Sequence, residues 1–133
     1  MPLGFEFAYT LSGSAPIIET IVAKASAVFT KGEMTNLETG EVDAGATADT
    51  AFVGATVEDC DNTADGLSVQ VITNFDAVYR VTDANAREKG ALLDLGTGGL
   101  TVAAALNNDL IVVEKSTSSE PTLVTFNRTH YLT

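Results

Sequence analysis

Apolar and polar residues alternate along most of the chain, and this alternation predicts β-strands. In a strand, successive side chains point to opposite faces, so a period of two residues indicates one buried face and one exposed face. The N-terminal segment shows it most clearly, with Gly4, Glu6, Ala8 and Thr10 on the polar side. The opposite side carries an apolar and aromatic row, which consists of Leu3, Phe5, Phe7, Tyr9 and Leu11.

The N-terminal segment, residues 1–16, has two interpretations. It is either an edge strand of the domain's own sheet or an arm that adds to the sheet edge of a neighbouring chain. The first is favoured because terminal segments are normally ordered only when they are tied down. The stretch LSGSAP, residues 11–16, predicts a flexible joint. This joint keeps the arm interpretation open.

Further strands follow as far as the C-terminus. Residues 17–29 alternate and contain Ile, Thr, Val and Phe, which favours a strand over a helix. Glu38-Thr39-Gly40 predicts the turn of a hairpin over residues 33–43. Gly54, inside a predicted strand over 50–58, indicates a bulge or a close backbone approach. Other strands are predicted over 67–71, 75–81, 91–95, 100–105, 110–114 and from Pro121 onward, and residues 44–49 are predicted to form a surface loop.

The predicted fold class is therefore all-β, a small β-barrel or β-sandwich with an extended N-terminal arm. Turn signals recur about every eight to twelve residues, which is typical of those architectures. At most one short helix is expected, over residues 84–89, with Asp83 as its N-cap and Gly90 closing it. Residues 17–133 are predicted to form a single β domain, since 133 residues fit one domain.

Charge narrows the possible partners. Lys and Arg number 7 against 18 Asp and Glu, which gives a formal net charge of −11. Because nucleic-acid binding begins with cationic side chains on phosphates, nucleic acid is not expected as a partner. No apolar run approaches the roughly 20 residues that a membrane span requires, so no membrane partner is expected. The first residues lack the basic start and apolar core of a secretory signal, which predicts use without export.

Two motifs suggest metal or nucleotide chemistry, and both are incomplete. Asp61, Thr63 and Asp65 before Gly66 match the first half of a calcium loop, but its twelfth position is Ile72 instead of Glu. The stretch GTGGLT, residues 96–101, lacks the third glycine of a dinucleotide-binding loop, and strand-forming residues follow it. Turns are therefore predicted at both places, with no metal and no cofactor.

Catalytic residues are sparse. The chain has one histidine, His130, and one cysteine, Cys60, which lies among acidic residues that disfavour its thiolate. A single cysteine allows no internal disulfide. A nucleophile needs a base within hydrogen-bond reach and a third group to orient that base. The sequence therefore predicts no catalytic residues and a protein that is not an enzyme.

Three segments together resemble a known family. They are KGEMTNLETGEVD at 31–43, VGATVE at 53–58 and VQVITNFDAVYRVTD at 69–83. With their order of strands, glycine turns and loops, residues 20–115 resemble the head decoration (cement) proteins of tailed bacteriophages. The resemblance implies a structural virion protein that binds the outer capsid surface and stabilises the shell by bridging major capsid subunits.

The same resemblance implies a partner, an assembly and a location. The expected partner is the major capsid protein, with a homo-oligomer, most often a trimer, made in the bacterial cytoplasm and located on the virion. Such proteins often reach the shell with a terminal arm, which here implies capsid or subunit contacts through Leu3, Phe5, Phe7, Tyr9 and Leu11. The alternatives are a ligand- or carbohydrate-binding β-sandwich, another virion-associated structural module and a small hydrolase.

Overall fold

A computed structural model describes residues 4–46, 49, 51–74 and 76–127, and every regular element in these ranges except one turn is a β-strand. The all-β prediction is confirmed, and the arrangement is a small β-sandwich without a closed barrel. A single 3-10 helix, Thr97–Gly99, lies between two strands. The thirteen strands are β1 (Phe5–Thr10), β2 (Ile18–Val22), β3 (Val28–Phe29), β4 (Met34–Glu38), β5 (Glu41–Ala44), β6 (Phe52–Ala55), β7 (Cys60–Asp61), β8 (Ser68–Ile72), β9 (Ala77–Val81), β10 (Leu92–Leu95), β11 (Val102–Ala104), β12 (Leu110–Glu114) and β13 (Thr122–Phe126).

Six antiparallel-paired strands form the larger sheet, in the order β1-β9-β13-β12-β10-β11. Its inner face contributes most of the main core, in which Tyr79 is fully buried between the rings of Phe5 and Phe126. Met34 and Ala55, from β4 and β6, close the core from the other side. Burying these side chains provides the main driving force for folding, at roughly 25 cal/mol per Å² of apolar surface.

The remaining strands form smaller sheets, which have the orders β5-β4-β6, β2-β8 and β3-β7. Isolated bridges connect them, from Thr56 to Val71 and from Ala23 to Val42. A second buried cluster lies among these strands and includes Phe29, Val69 and Cys60. We call this part of the molecule, built mainly from residues 17–31 and 56–74, the small lobe.

The hairpin and the close approach predicted from glycine positions are confirmed. β4 and β5 pair around Thr39 and Gly40, both of which have positive φ angles. At Gly54, an added Cβ would overlap the carbonyl oxygen of Ile72 and lie 2.8 Å from the hydroxyl oxygen of Tyr79. Gly54 therefore lets β8 and a core tyrosine approach the backbone of β6.

β1 is an edge strand of the large sheet, so the favoured of the two interpretations is confirmed for Phe5–Thr10 and the extended arm of the predicted fold is wrong there. β1 pairs with β9 along its whole length, and Phe5 is 3% exposed in the core. The joint over 11–16 is held in place as well, because the Asn74 side chain accepts the Ile17 N–H and donates to the Ala15 carbonyl. Of the aromatic residues of the strand, Phe5 is buried and Phe7 is partly buried in their own domain, where they stabilise the sheet.

A β-bulge interrupts the alternation of β1. Phe7 pairs with Tyr79 while Tyr9 pairs with Val78, so Ala8 is an extra residue. A bulge residue reverses the side-chain parity beyond it. Tyr79 faces the core, and its neighbour Val78 faces the opposite side, so Tyr9 lies on the outer face of the sheet. The prediction that Phe5, Phe7 and Tyr9 share one face is therefore wrong at Tyr9.

The short helix predicted over residues 84–89 is absent. The backbone of Arg87 forms a bridge with Ser116, donating to its carbonyl at 3.3 Å and accepting its N–H at 2.9 Å. Those groups are then not available for helical hydrogen bonds. Asp83, the predicted cap, accepts the Asn85 N–H and binds the Arg87 guanidinium at 2.6 Å instead.

Near the far edge of the large sheet, the chain crosses over β10. Ala104 of β11 and Leu110 of β12 both pair with Leu93, from opposite edges of β10. The crossing segment, residues 105–109, is fixed by Asp94, whose Oδ1 accepts the N–H groups of Asn107 and Asn108 at 2.8 Å. At the same segment, Leu106 is 88% exposed.

Candidate functional site

The structure separates the five predicted contact residues into three groups. Leu3 lies outside the described residues. Phe5 is buried in the main core, and Phe7 is partly buried against it, so both serve the protein's own packing. Tyr9 and Leu11 are exposed, with 37% and 59% of their surface accessible. Of the predicted row, these two side chains are the ones placed to make an external contact.

Tyr9 lies on the outer face of the large sheet among charged groups. Its hydroxyl donates to Glu114 Oε2 at 3.1 Å, across the intervening strands β9 and β13. Partial burial raises the pKa of Tyr9, and the hydrogen bond and charge of Glu114 raise it further. Beside it, Arg80 and Glu6 form an ion pair at 2.6 Å. At neutral pH this face thus carries a neutral phenol, on the residue that pairs with Val78 of β9.

Leu11 lies at the end of β1, at the start of the loop that leads to β2. Its N–H donates to the Asp76 carbonyl, and the next N–H, from Ser12, donates to Asp76 Oδ2 at 2.8 Å. The Ser12 hydrogen bonds lower the pKa of Asp76, which keeps this carboxylate ionised. Leu11 is therefore an exposed apolar side chain on a fixed backbone.

β2 carries an exposed apolar row that sequence reasoning missed. Ile21 packs inward against the small-lobe cluster, so Ile18, Thr20 and Val22 point outward. Ile18 is 50% exposed, Val22 is 51% exposed, and Ile17 just before the strand is exposed as well. We call Ile18, Thr20 and Val22 the outward row. Its only signal in the sequence is that β-branched residues occupy both the inward-facing and the outward-facing positions of β2.

Exposed acidic residues outnumber cations in the small lobe that carries the outward row. Within residues 17–31 and 56–74, five acids stand against the cations Lys24 and Lys31, and all five acids are exposed. Lys24 already binds Glu38 at 2.9 Å and Asp43 at 3.5 Å, so its charge is offset. The five acids are Glu19, Glu58, Asp59, Asp61 and Asp65.

The acidic turn at 61–65 uses its carboxylates to hold its own backbone. Asp61 Oδ1 accepts the Thr63 N–H at 3.1 Å, and this bond lowers the pKa of Asp61. Asp65 Oδ1 accepts the Ser26 N–H at 2.9 Å. Among the described residues, no group of three or more Asp, Glu, His or Cys is placed to hold a metal ion. The half-motif for calcium thus forms a turn that is held by hydrogen bonds.

The remaining candidate groups do not assemble into a catalytic arrangement in the part of the chain that the structure describes. Cys60 is buried, and its pKa is raised by that burial and by Glu58 and Asp61, which disfavours the reactive thiolate. His130 and Phe75 lie outside the described residues. Gly96 precedes a single 3-10 turn, which lacks the long helix of a dinucleotide site. No helix of sufficient length and hydropathy to cross a membrane occurs in the described ranges.

Comparison with protein-family models gave no match, and comparison with curated proteins gave none either. Any assignment of function to this chain therefore depends on its own sequence, fold and exposed residues.

Proposed function

We propose that this chain is a structural decoration protein that binds the outer surface of a bacteriophage capsid. In this role it bridges major capsid subunits and stabilises the shell without catalysing a reaction. The sequence resemblance over residues 20–115 motivates the proposal. The structure supports a binding role for one specific reason, which is the exposed apolar surface where β1 leads into β2.

The main support is that four apolar side chains within twelve residues of chain are each at least half exposed. They are Leu11, Ile17, Ile18 and Val22. Single exposed apolar residues are common, whereas a concentration of them marks an interaction surface. The surface belongs to backbone that is pinned to β8 and the β8–β9 connection, so binding requires little ordering of the chain. Low ordering cost favours affinity.

The proposed partner is the major capsid protein, and the proposed location is the outer face of the virion after synthesis in a bacterial cytoplasm. A net charge of −11 fits a position outside the shell, because this protein would be repelled by the packaged nucleic acid. We also propose that the protein acts as a homo-oligomer, with a trimer as the first model to test.

Co-sedimentation with empty, expanded phage capsids tests the proposal. The protein is expected to pellet with the shells at a saturating ratio and to raise the temperature at which they disrupt. Leu11→Ser is expected to weaken this binding, because it removes an exposed apolar contact without changing the core. Leu106→Ser is the matched control, since Leu106 is also exposed but lies at the opposite edge of the large sheet.

Two results would contradict the proposal. One is a folded protein that stays in the supernatant with every phage shell tested. The other is specific binding to a glycan or small ligand, which would favour the alternative of a ligand-binding β-sandwich. Equal binding by L11S, L106S and the unmodified protein would show that the protein binds the shell through a surface other than the end of β1.

A further inference from the structure

We infer that the outward row of β2 docks an apolar strip of a partner protein whose rim is rich in lysine and arginine. The inference rests on the proposed function in treating this surface as a binding surface, and it adds the chemistry of the partner. Three features of the small lobe lead to it: the exposure of the row, its rigid support and the charge around it.

The first feature is the exposure of the row. Ile18 and Val22 lie four residues apart on the same face of β2, about 13 Å along the strand. Each leaves half of its surface accessible to water. Over Ile18–Val22 the strand pairs only with β8, on one edge. A partner can therefore cover these apolar side chains without displacing any part of the described chain.

The second feature is the support beneath the row. Ile21 anchors β2 from below, against Val69 and Val71 of β8. At the Val22 end, the buried side chain of Asn62 donates to the carbonyls of Ala23 and Lys24 at 3.2 and 2.9 Å. The same Asn62 places the acidic turn 61–65 beside this end of the strand. Apolar residues and carboxylates are thus held in a fixed relation.

The third feature is the negative charge of the small lobe, which indicates the kind of partner that the outward row binds. The five exposed acids of the small lobe exceed its two cations, one of which is offset by Glu38 and Asp43. A second copy of this chain would bring the same acids to the interface, and like charges disfavour that pairing. Nucleic acid and anionic lipid carry the same sign of charge. A protein surface with a basic rim complements both the charge and the apolar centre.

The first test uses two synthetic strand peptides and the full-length protein. In one peptide lysine alternates with valine, and in the other glutamate alternates with valine. Nuclear magnetic resonance titration is expected to shift the methyl signals of Ile18 and Val22 with the lysine peptide and not with the glutamate peptide. Raising the salt concentration is expected to weaken binding, because salt screens exposed charges.

A double variant, Ile18→Thr with Val22→Thr, tests the apolar part. Threonine keeps the β-branched shape that strands favour, so the fold is expected to persist. Its affinity for the lysine peptide is expected to fall about tenfold, as expected for losing part of two apolar contacts. Leu37→Thr with Leu92→Thr is the matched control, since both leucines are exposed on strands of other sheets. This control is expected to bind like the unmodified protein.

Three outcomes would overturn the inference. They are methyl shifts confined to other residues, equal binding of both peptides, and concentration-dependent self-association that the Ile18→Thr, Val22→Thr variant abolishes. The peptide titration tests this inference and the capsid co-sedimentation tests the proposed function, so either proposal can be refuted without the other. Shell binding that is insensitive to I18T/V22T would leave the proposed function intact and show that the outward row is not the contact surface. Peptide binding without shell binding would support the outward row as a docking surface and contradict the proposed function.

Discussion

At some positions the fold accepts only one kind of residue. Among the glycines of the described chain, Gly54 has the least room for a side chain. An added Cβ would overlap a backbone carbonyl of β8 and crowd the Tyr79 hydroxyl, which accepts the Ala55 N–H at 3.3 Å. Backbone cannot move aside as the end of a flexible side chain can. The smallest side chain therefore forces strands β6 and β8 apart.

We expect Gly54→Ala to lower the free energy of unfolding by roughly 3 kcal/mol or more, as the larger steric effects in cores do. Gly40→Ala is the control, because Gly40 has open space around it but a φ of +83°. Its loss should be limited to about 1–2 kcal/mol from the left-handed backbone that alanine would have to adopt. Urea denaturation of both variants measures the difference, and equal losses would show that contact with Ile72 is not the cause.

Glu33 is a second residue with a specific constraint. It is 6% exposed, and its Oε1 accepts the Thr30 N–H at 3.2 Å. Burial raises the pKa of Glu33 above its ordinary 4.5, the Thr30 hydrogen bond opposes this effect, and Asp43 adds to it. A raised folded-state pKa means that the folded protein holds this proton more tightly than the unfolded chain does. Stability from this group is therefore present at low pH and is lost as the pH rises through the folded-state pKa.

We expect Glu33→Gln to stabilise the protein at neutral pH, because the amide avoids burying a charge and can still accept the Thr30 N–H. The gain should shrink as the pH falls towards and below 4.5, where the unmodified carboxyl becomes neutral. Denaturation curves at several pH values measure it. Glu120→Gln is the control, since Glu120 accepts the Thr117 N–H with the same three-residue spacing on an exposed loop. A gain that is independent of pH would refute the burial argument.

At the scale of elements, β1 is the decisive strand because it joins the chain's first residues to its core. Phe5 meets Tyr79 edge to face, with ring centroids 6.3 Å apart, and every residue pair from Phe5–Val81 to Thr10–Ala77 belongs to the ladder with β9. Losing this strand would expose β9 and leave a space in the core.

We therefore expect deletion of residues 1–15 to abolish cooperative folding or to leave a protein with a strongly reduced unfolding midpoint. Phe5→Ala alone should reduce stability by about 3–5 kcal/mol, as is typical for a buried aromatic side chain. Tyr9→Ala is the control, because Tyr9 lies on the outer face and should change stability much less. A truncated protein with native resonance dispersion and unchanged stability would restore the arm interpretation.

The elements also show how far the sequence alone could lead. The alternation of apolar and polar residues predicted most strands, and Thr39-Gly40 predicted the hairpin. Both signals could be read from the sequence because they depend on local geometry. The bulge at Ala8, the bridge at Arg87 and the exposure of Ile18 depend on partners that are distant in sequence. Of the four described residues of the predicted contact row, Tyr9 and Leu11 are the exposed ones, since alternation identifies a face without indicating what covers it.

At the scale of the whole molecule, the buried apolar residues form two separate cores, whereas negative charge is spread along the chain. The main core lies under the large sheet, while the second cluster fills a small lobe whose surface is acidic. Within the described ranges outside that lobe, Arg80, Arg87 and Lys115 each form an ion pair, and the pair between Arg87 and Asp83 is partly buried. Burial opposes ionisation of Asp83, but the Arg87 and Asn85 hydrogen bonds outweigh it, so its pKa is lowered. The small lobe carries a formal charge of 2 − 5 = −3 and the rest of the chain 5 − 13 = −8, so a cationic partner would be attracted to the whole molecule and not to the small lobe alone.

The crossing over β10 has a consequence for the register of the large sheet. Residues 104 and 110 sit on opposite edges of one strand, about 9.6 Å apart by two strand spacings. Asp94, from that same strand, holds two consecutive N–H groups of the crossing segment. β12 cannot slip by one residue along β10 without breaking both bonds. The crossing therefore links the register of β12 on one edge of β10 to the register of β11 on the other, so that a shift of either strand strains the segment between them.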